Sequence, residues 1–204
     1  MTEAEHKHEL ILLQILYIFV VPVCLMYFKI IGAQWRVILL MLDCLIIYGI
    51  IRHERWSLKE LGLNSPEHNW FLPYALFVCV GVFLISEIAE SINYTFAHNW
   101  WTNTRFLFLF IPVSILQEFA FRGFLRPLLV RAKTKKVWIV IITTLLFALI
   151  HIIYPPLAIA LPVAIVGGFA FALIYEKYPN LYLASAAHIV LNFTAVLYGF
   201  FVIK

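Results

Sequence analysis

Glu118 and Arg122 lie four residues apart in the middle of an apolar run from Phe106 to Val130. A carboxylate and a guanidinium are costly inside a membrane span, and they persist there by pairing or by doing chemistry. Residues four apart share a helix face, so these two can form an ion pair within a single helix. Their neighbour Gln117 is turned about 100° from Glu118 on a helix and points another way. Two further polar motifs lie in later apolar runs, Phe147-xxx-His151 and His188-xxx-Asn192. The same spacing puts His188 and Asn192 on one face and sets an aromatic ring one turn from His151. These residue types suit peptide hydrolysis. A carboxylate and an imidazole can hold and deprotonate a water. A second imidazole and an amide N–H can stabilise the oxyanion of the tetrahedral intermediate. Exclusion of bulk water strengthens these interactions.

The elements that must position these groups are membrane helices. The chain of 204 residues is 64% hydrophobic and 13% charged, with mean hydropathy +0.94. A soluble domain is nearer half apolar and a quarter charged. Spans need about 20 mostly apolar residues. Seven are predicted, roughly 10–31, 36–52, 70–92, 105–131, 137–154, 157–176 and 180–202. The expected fold is therefore an all-α polytopic membrane bundle of about seven transmembrane helices, forming one domain over 1–204. Between the second and third spans, His53 to Asn69 is polar. Trp56, Leu58, Leu61 and Leu63 make it partly amphipathic, so an interfacial helix is expected there. The first apolar run is longer than a signal-peptide core, so no cleavable signal is expected.

The net charge of +4 does not indicate nucleic acid, because the basic residues cluster in loops between apolar runs. Ten Lys and Arg fall on one side of the predicted topology and four on the other, with Arg122 left inside. The positive-inside rule then puts the N-terminus in the cytoplasm and the C-terminus outside. Cys24, Cys44 and Cys79 lie in separate apolar runs and read as small buried hydrophobes. Gln117 lies fourteen residues before Arg131, and His151 fourteen after Val137. In an antiparallel helix pair those positions have similar depth, so a site near mid-membrane is expected.

The three motifs, in order on successive helices, resemble those of the CAAX-protease and bacteriocin-processing (CPBP or Abi) family of intramembrane glutamate proteases. That family carries Glu-Glu-xxx-Arg, Phe-xxx-His and His-xxx-Asn. This chain carries Gln117-Glu118-xxx-Arg122, Phe147-xxx-His151 and His188-xxx-Asn192. Ser57 to Leu63 and Arg122-Gly123-Phe124-Leu125 are also family-like, and the resemblance spans about 57–195. It implies an intramembrane endopeptidase acting on membrane-presented peptides or protein C-termini. His151 would help hold the water, and His188 and Asn192 would form the oxyanion site. The family's range implies C-terminal trimming of lipidated proteins, maturation of secreted peptides or bacteriocins, or processing of sorting signals. Small size and the absence of extra domains fit a bacterial plasma-membrane protein.

One position departs from the family pattern. The first glutamate, the expected base, is Gln117 here, and an amide does not accept a proton at neutral pH. Three readings remain open. An active protease is silenced by this change, which is the expectation; or the chain is a pseudoprotease that binds without cutting, as an immunity protein or chaperone would; or Glu118 turns to serve as the base.

Other readings of single residues stand beside the protease reading. Glu118 and Arg122 alone read as a structural ion pair, Gln117 as an interhelical hydrogen-bonding group, and either histidine as a core residue. Glu118, His151 and His188 could supply a zinc ligand set, although no His-Glu-xx-His motif is present. Asp43, the other intramembrane acid, reads as structural, with Arg36 two turns away. Glu87 and Glu90 read as solvated helix-end acids, and Gly167-Gly168 as a close-packing site.

Overall fold

The computed structural model describes residues 3–94, 99–102 and 104–200. The end of the last predicted span and Lys204 lie outside the described residues. The described residues form α1 (Glu3–Ile15), α2 (Val21–Tyr27), α3 (Arg36–His53), α4 (Phe71–Ser91), α5 (Thr104–Glu118), α6 (Arg126–Arg131), α7 (Lys136–Leu149), α8 (Leu157–Lys177) and α9 (Leu181–Leu197). Wide π-helical turns, Leu16–Val20 and Phe119–Leu125, join α1 to α2 and α5 to α6. No strand occurs among the described residues.

Local signals set these boundaries. Pro22 and Pro127 stand just beyond the two π-helical turns inside continuous helices, where the missing N–H removes a helical bond and the wider turn accommodates the ring. Asn180 caps α9 by accepting from the Leu183 N–H at 3.0 Å. Four segments are long and apolar enough to cross a membrane: His8–Tyr27, Ala33–His53, His68–Ser91 and Leu157–Lys177. α7 has 14 residues. At 1.5 Å per residue it spans about 21 Å, short of a hydrocarbon core of about 30 Å.

Burial is inverted relative to a soluble protein. Leu12 and Leu72 are 66% exposed, whereas Ser114 and Glu118 are 0% exposed and Arg122 2%. Apolar side chains facing outward and ionised groups facing inward are what lipid selects. The protein is an integral membrane protein. Inside the bundle, α9 packs against both α4 and α5, α7 lies along α8, and α3 lies along α5. The α3–α5 contact includes the Cys44 thiol, 3.6 Å from the Leu116 carbonyl.

The segment expected as an interfacial helix is not one. Residues 54–67 form successive turns, followed by a short 3-10 turn at His68–Trp70. The reason is local hydrogen bonding. Glu60 turns back to accept from the Ser57 N–H at 2.7 Å and the Ser57 hydroxyl at 2.8 Å. Arg131 then clamps Glu60 at 2.7 Å and stacks over Trp56 at 4.5 Å. Gly62 takes φ +71°, and its carbonyl accepts from the Leu181 N–H at 2.9 Å. The amphipathic pattern is real, since Trp56 and Leu61 are buried, but it serves a turn packed on the bundle end.

Candidate active site

α5 carries Gln117 and Glu118 at its C-terminal end, and the π-helical turn that follows holds Arg122. Such turns concentrate at functional sites. The Arg122 Nη1–Glu118 Oε1 ion pair forms at 3.2 Å within the helix, as the spacing predicts. The same Oε1 accepts from His188 Nδ1 at 2.7 Å, a contact between residues 70 apart. Arg122 lies 5.3 Å from the ring centres of both Phe147 and Phe171, and its Nη2 is 3.5 Å from the Gly168 carbonyl. Glu118 is wholly buried, and its Oε2 has no hydrogen-bond partner among the described residues.

Gln117 turns away from this pair, as the 100° offset predicts. It lines a cavity of about 40 Å³ together with Arg36, His151, Tyr154 and Asn192. Gln117 and His151 thus share one space, as their equal depth requires. His151 does not sit on regular helix as expected, because α7 ends at Leu149 and His151 occupies the turn beyond. There its Nδ1 lies 2.7 Å from the Phe147 carbonyl. A carbonyl only accepts, so Nδ1 carries a proton, and in the tautomer protonated only there Nε2 is the acceptor nitrogen. The four-residue spacing therefore serves a side-chain cap on the backbone as well as a ring contact, with centroids 4.8 Å apart.

Asn192 donates from Nδ2 to the Ser114 hydroxyl at 2.9 Å, and Ser114 donates to the Phe110 carbonyl at 2.7 Å. An amide nitrogen has two N–H groups, so one remains for a ligand. Ser114 and Tyr154 escaped the sequence reading, and Arg36 entered it only as a neighbour of Asp43. Ser114 stands three residues before Gln117 and Tyr154 three after His151, and that spacing was the available signal. Arg36 closes over the Tyr154 ring at 5.8 Å.

His151, His188 and Asn192 also line a second space, an apolar groove of about 440 Å³ bounded by α4, α8 and α9. Its walls include Phe77, Leu84, Ile88, Val163, Phe171 and Leu191. Gly168 packs so tightly on Phe147 that a Cβ there would lie 2.9 Å from the ring, whereas Gly167 faces open space. The close-packing role expected of the glycine pair thus rests on Gly168 alone. Glu87 and Glu90 are exposed. Cys24, Cys44 and Cys79 are free thiols, with Cys44 buried and Cys79 exposed.

Among the described residues, no three His, Cys, Asp or Glu side chains converge as metal ligands. Glu118 Oε1 is taken by Arg122 and His188, and His151 Nδ1 by a carbonyl.

Fold and site together define an α-helical integral membrane protein with a buried polar site that opens on an apolar groove. Residues 99–194 match the family model described as type II CAAX prenyl endopeptidase Rce1-like. The match contains all seven motif residues, from Gln117 to Asn192, and begins after the family-like stretch at Ser57 to Leu63. The match agrees with the resemblance carried by the motifs over this segment. No curated protein and no solved structure matches the chain.

Proposed function

We propose that the protein is an intramembrane endopeptidase whose reaction centre is the space between Gln117, His151 and Asn192. The observation that carries this reading is their shared cavity beside the apolar groove. The groove suits an apolar or lipid-modified segment of a membrane-presented peptide. His151 Nε2 can accept a hydrogen bond from a water, and the Gln117 carbonyl can accept a second. Attack on the scissile carbonyl then builds an oxyanion that the remaining Asn192 N–H can meet. His188, held by Glu118 at 2.7 Å, lines the groove beside that site.

Glu118 is a positioning residue in this scheme. Turning it towards the water would break its bonds to Arg122 and His188 and strand a buried guanidinium, a loss of about 3–5 kcal/mol. The rotation reading therefore loses support, and position 117 itself lacks a base. Absence of a general base lowers a rate by about 10²–10⁴.

The polar cavity lies towards the bundle end that carries Arg36, Tyr154 and Val196. With the N-terminus cytoplasmic, that is the outer end in a bacterial plasma membrane. This favours exported peptides or sorting signals over cytoplasmic C-termini. The second reading, a non-catalytic binder such as an immunity protein or chaperone, is favoured by Gln117 alone.

The test uses the Gln117→Glu form in host membranes, with new peptide termini mapped by mass spectrometry. Termini that appear with this form and vanish on adding His151→Ala support the protease. Cleavage that survives His151→Ala excludes the mechanism, and no termini at all favours the binder.

A further inference from the structure

Asp43 is an acid in the middle of a membrane helix that the scheme above leaves unused. It lies half-buried in the middle of α3, and no hydrogen bond or ion pair to it occurs among the described residues. An intramembrane carboxylate without a partner calls for a function. Its surroundings supply one. The Cys44–Leu116 contact at 3.6 Å fixes the register of α3 against α5. Asp43 precedes Cys44 and Gln117 follows Leu116 on helices that run the same way, so the two stand about 3 Å apart in depth on adjacent helices. Both line one cavity of about 90 Å³, with Arg36 and Tyr154. That cavity and the one lined by His151 and Asn192 share Arg36, Val37, Val113, Gln117 and Tyr154 as walls. Gln117 thus borders both spaces, with Asp43 on the wall of one and His151 and Asn192 on the wall of the other.

We infer that Asp43 is the general base of the reaction, a carboxylate moved from α5 to α3 to face the site from the other side of Gln117. This inference rests on the protease reading. The Gln117 amide keeps the geometry of a carboxylate and orients water with its carbonyl. Asp43 takes a proton from that water as its oxygen bonds to the scissile carbonyl carbon and the carbonyl electron pair moves to oxygen. The oxyanion then collapses, the C–N bond breaks, and the proton passes to the departing nitrogen. The carboxylate is regenerated, and the products are an acid and an amine. On this inference the chain is active as it stands, contrary to the silencing expected from Gln117.

The experiment compares four full-length proteins in liposomes: the native chain, Asp43→Asn, Gln117→Glu and the double variant. The probe is an internally quenched farnesylated peptide ending in Cys-aliphatic-aliphatic-X, with terminus mapping in host membranes alongside. The inference expects cleavage by the native chain, a loss of about 10²–10⁴-fold in Asp43→Asn, and recovery in the double variant. That recovery also shows that a chain carrying Asp43→Asn folds. Native and Asp43→Asn proteins of equal activity overturn the inference and leave the protease intact. So does a silent native chain beside an active Gln117→Glu, or a double variant that stays silent beside an active Gln117→Glu. Silence of all four on the peptide and in membranes overturns the protease reading, and the inference with it.

Discussion

Adjacent residues of one helix face two different environments. Glu118 looks into a closed cluster in which one carboxylate oxygen serves both Arg122 and His188. Gln117 looks into open space shared with Asp43 on one side and with His151 and Asn192 on the other. The closed face holds charge and has its geometry fixed. The open face holds an uncharged amide and room for water. Two consecutive polar residues therefore face a closed and an open environment, and the 100° step of the helix makes the division.

Breaking the closed face should produce the largest change in stability. Arg122→Leu leaves Glu118 as a buried charge with only His188 to meet it. Loss of one partner from a buried pair costs about 3–5 kcal/mol. Chemical or thermal unfolding in detergent should show that loss. Gln117→Glu, on the open face, should move stability far less. Equal losses at both positions would erase the distinction.

The open face should respond in rate. Asn192→Ala, made in whichever form cleaves, removes an oxyanion donor and should lower kcat by about 10²–10³. Ser114 keeps its bond to Phe110, so the unfolding midpoint should shift by about 1 kcal/mol or less. A stability loss as large as that of Arg122→Leu would assign Asn192 to the closed face.

Gly168→Ala probes the joint between the two faces. Its Cβ would press Phe147, whose ring lies against Arg122, His151 and His188. Overpacking of this kind costs about 1–3 kcal/mol, and turnover should fall with it. Gly167→Ala, with open space at its Cβ, is the control and should change neither.

Much of the site was legible because its motifs are local. The Glu118–Arg122 pair, the opposed direction of Gln117 and the shared depth of Gln117 and His151 all follow from helix geometry. The His188–Glu118 bond was not legible, because it joins residues 70 apart and depends on how α9 packs on α5. Asp43 read as structural for the same reason, since only the α3–α5 register brings it close to the depth of Gln117. Helix positions followed from hydropathy, but the turns at 54–67 did not. Alternating Trp and Leu fit an amphipathic helix equally well, and the choice was made by Ser57, Glu60, Gly62 and a distant Arg131.

That cluster of turns permits the smallest test, far from both faces of α5. Hydrogen bonds from Ser57, with help from Arg131, hold the Glu60 carboxyl below its ordinary pKa. A carboxyl depressed in the folded state adds stability above its unfolded pKa of about 4.3 and loses it as pH falls through the folded value. Both partners of the Arg131 pair are partly exposed, so the contribution is screened to about 0.2–1 kcal/mol. Glu60→Gln should therefore destabilise by that amount near neutral pH and by progressively less as the pH drops below about 4. Cleavage at neutral pH should be unchanged, because the turns pack on the bundle end opposite the Arg36 end towards which the polar cavity lies. A fall in turnover without a fall in stability would mean that the two ends of the bundle are coupled, and that the division drawn along α5 is not local to it.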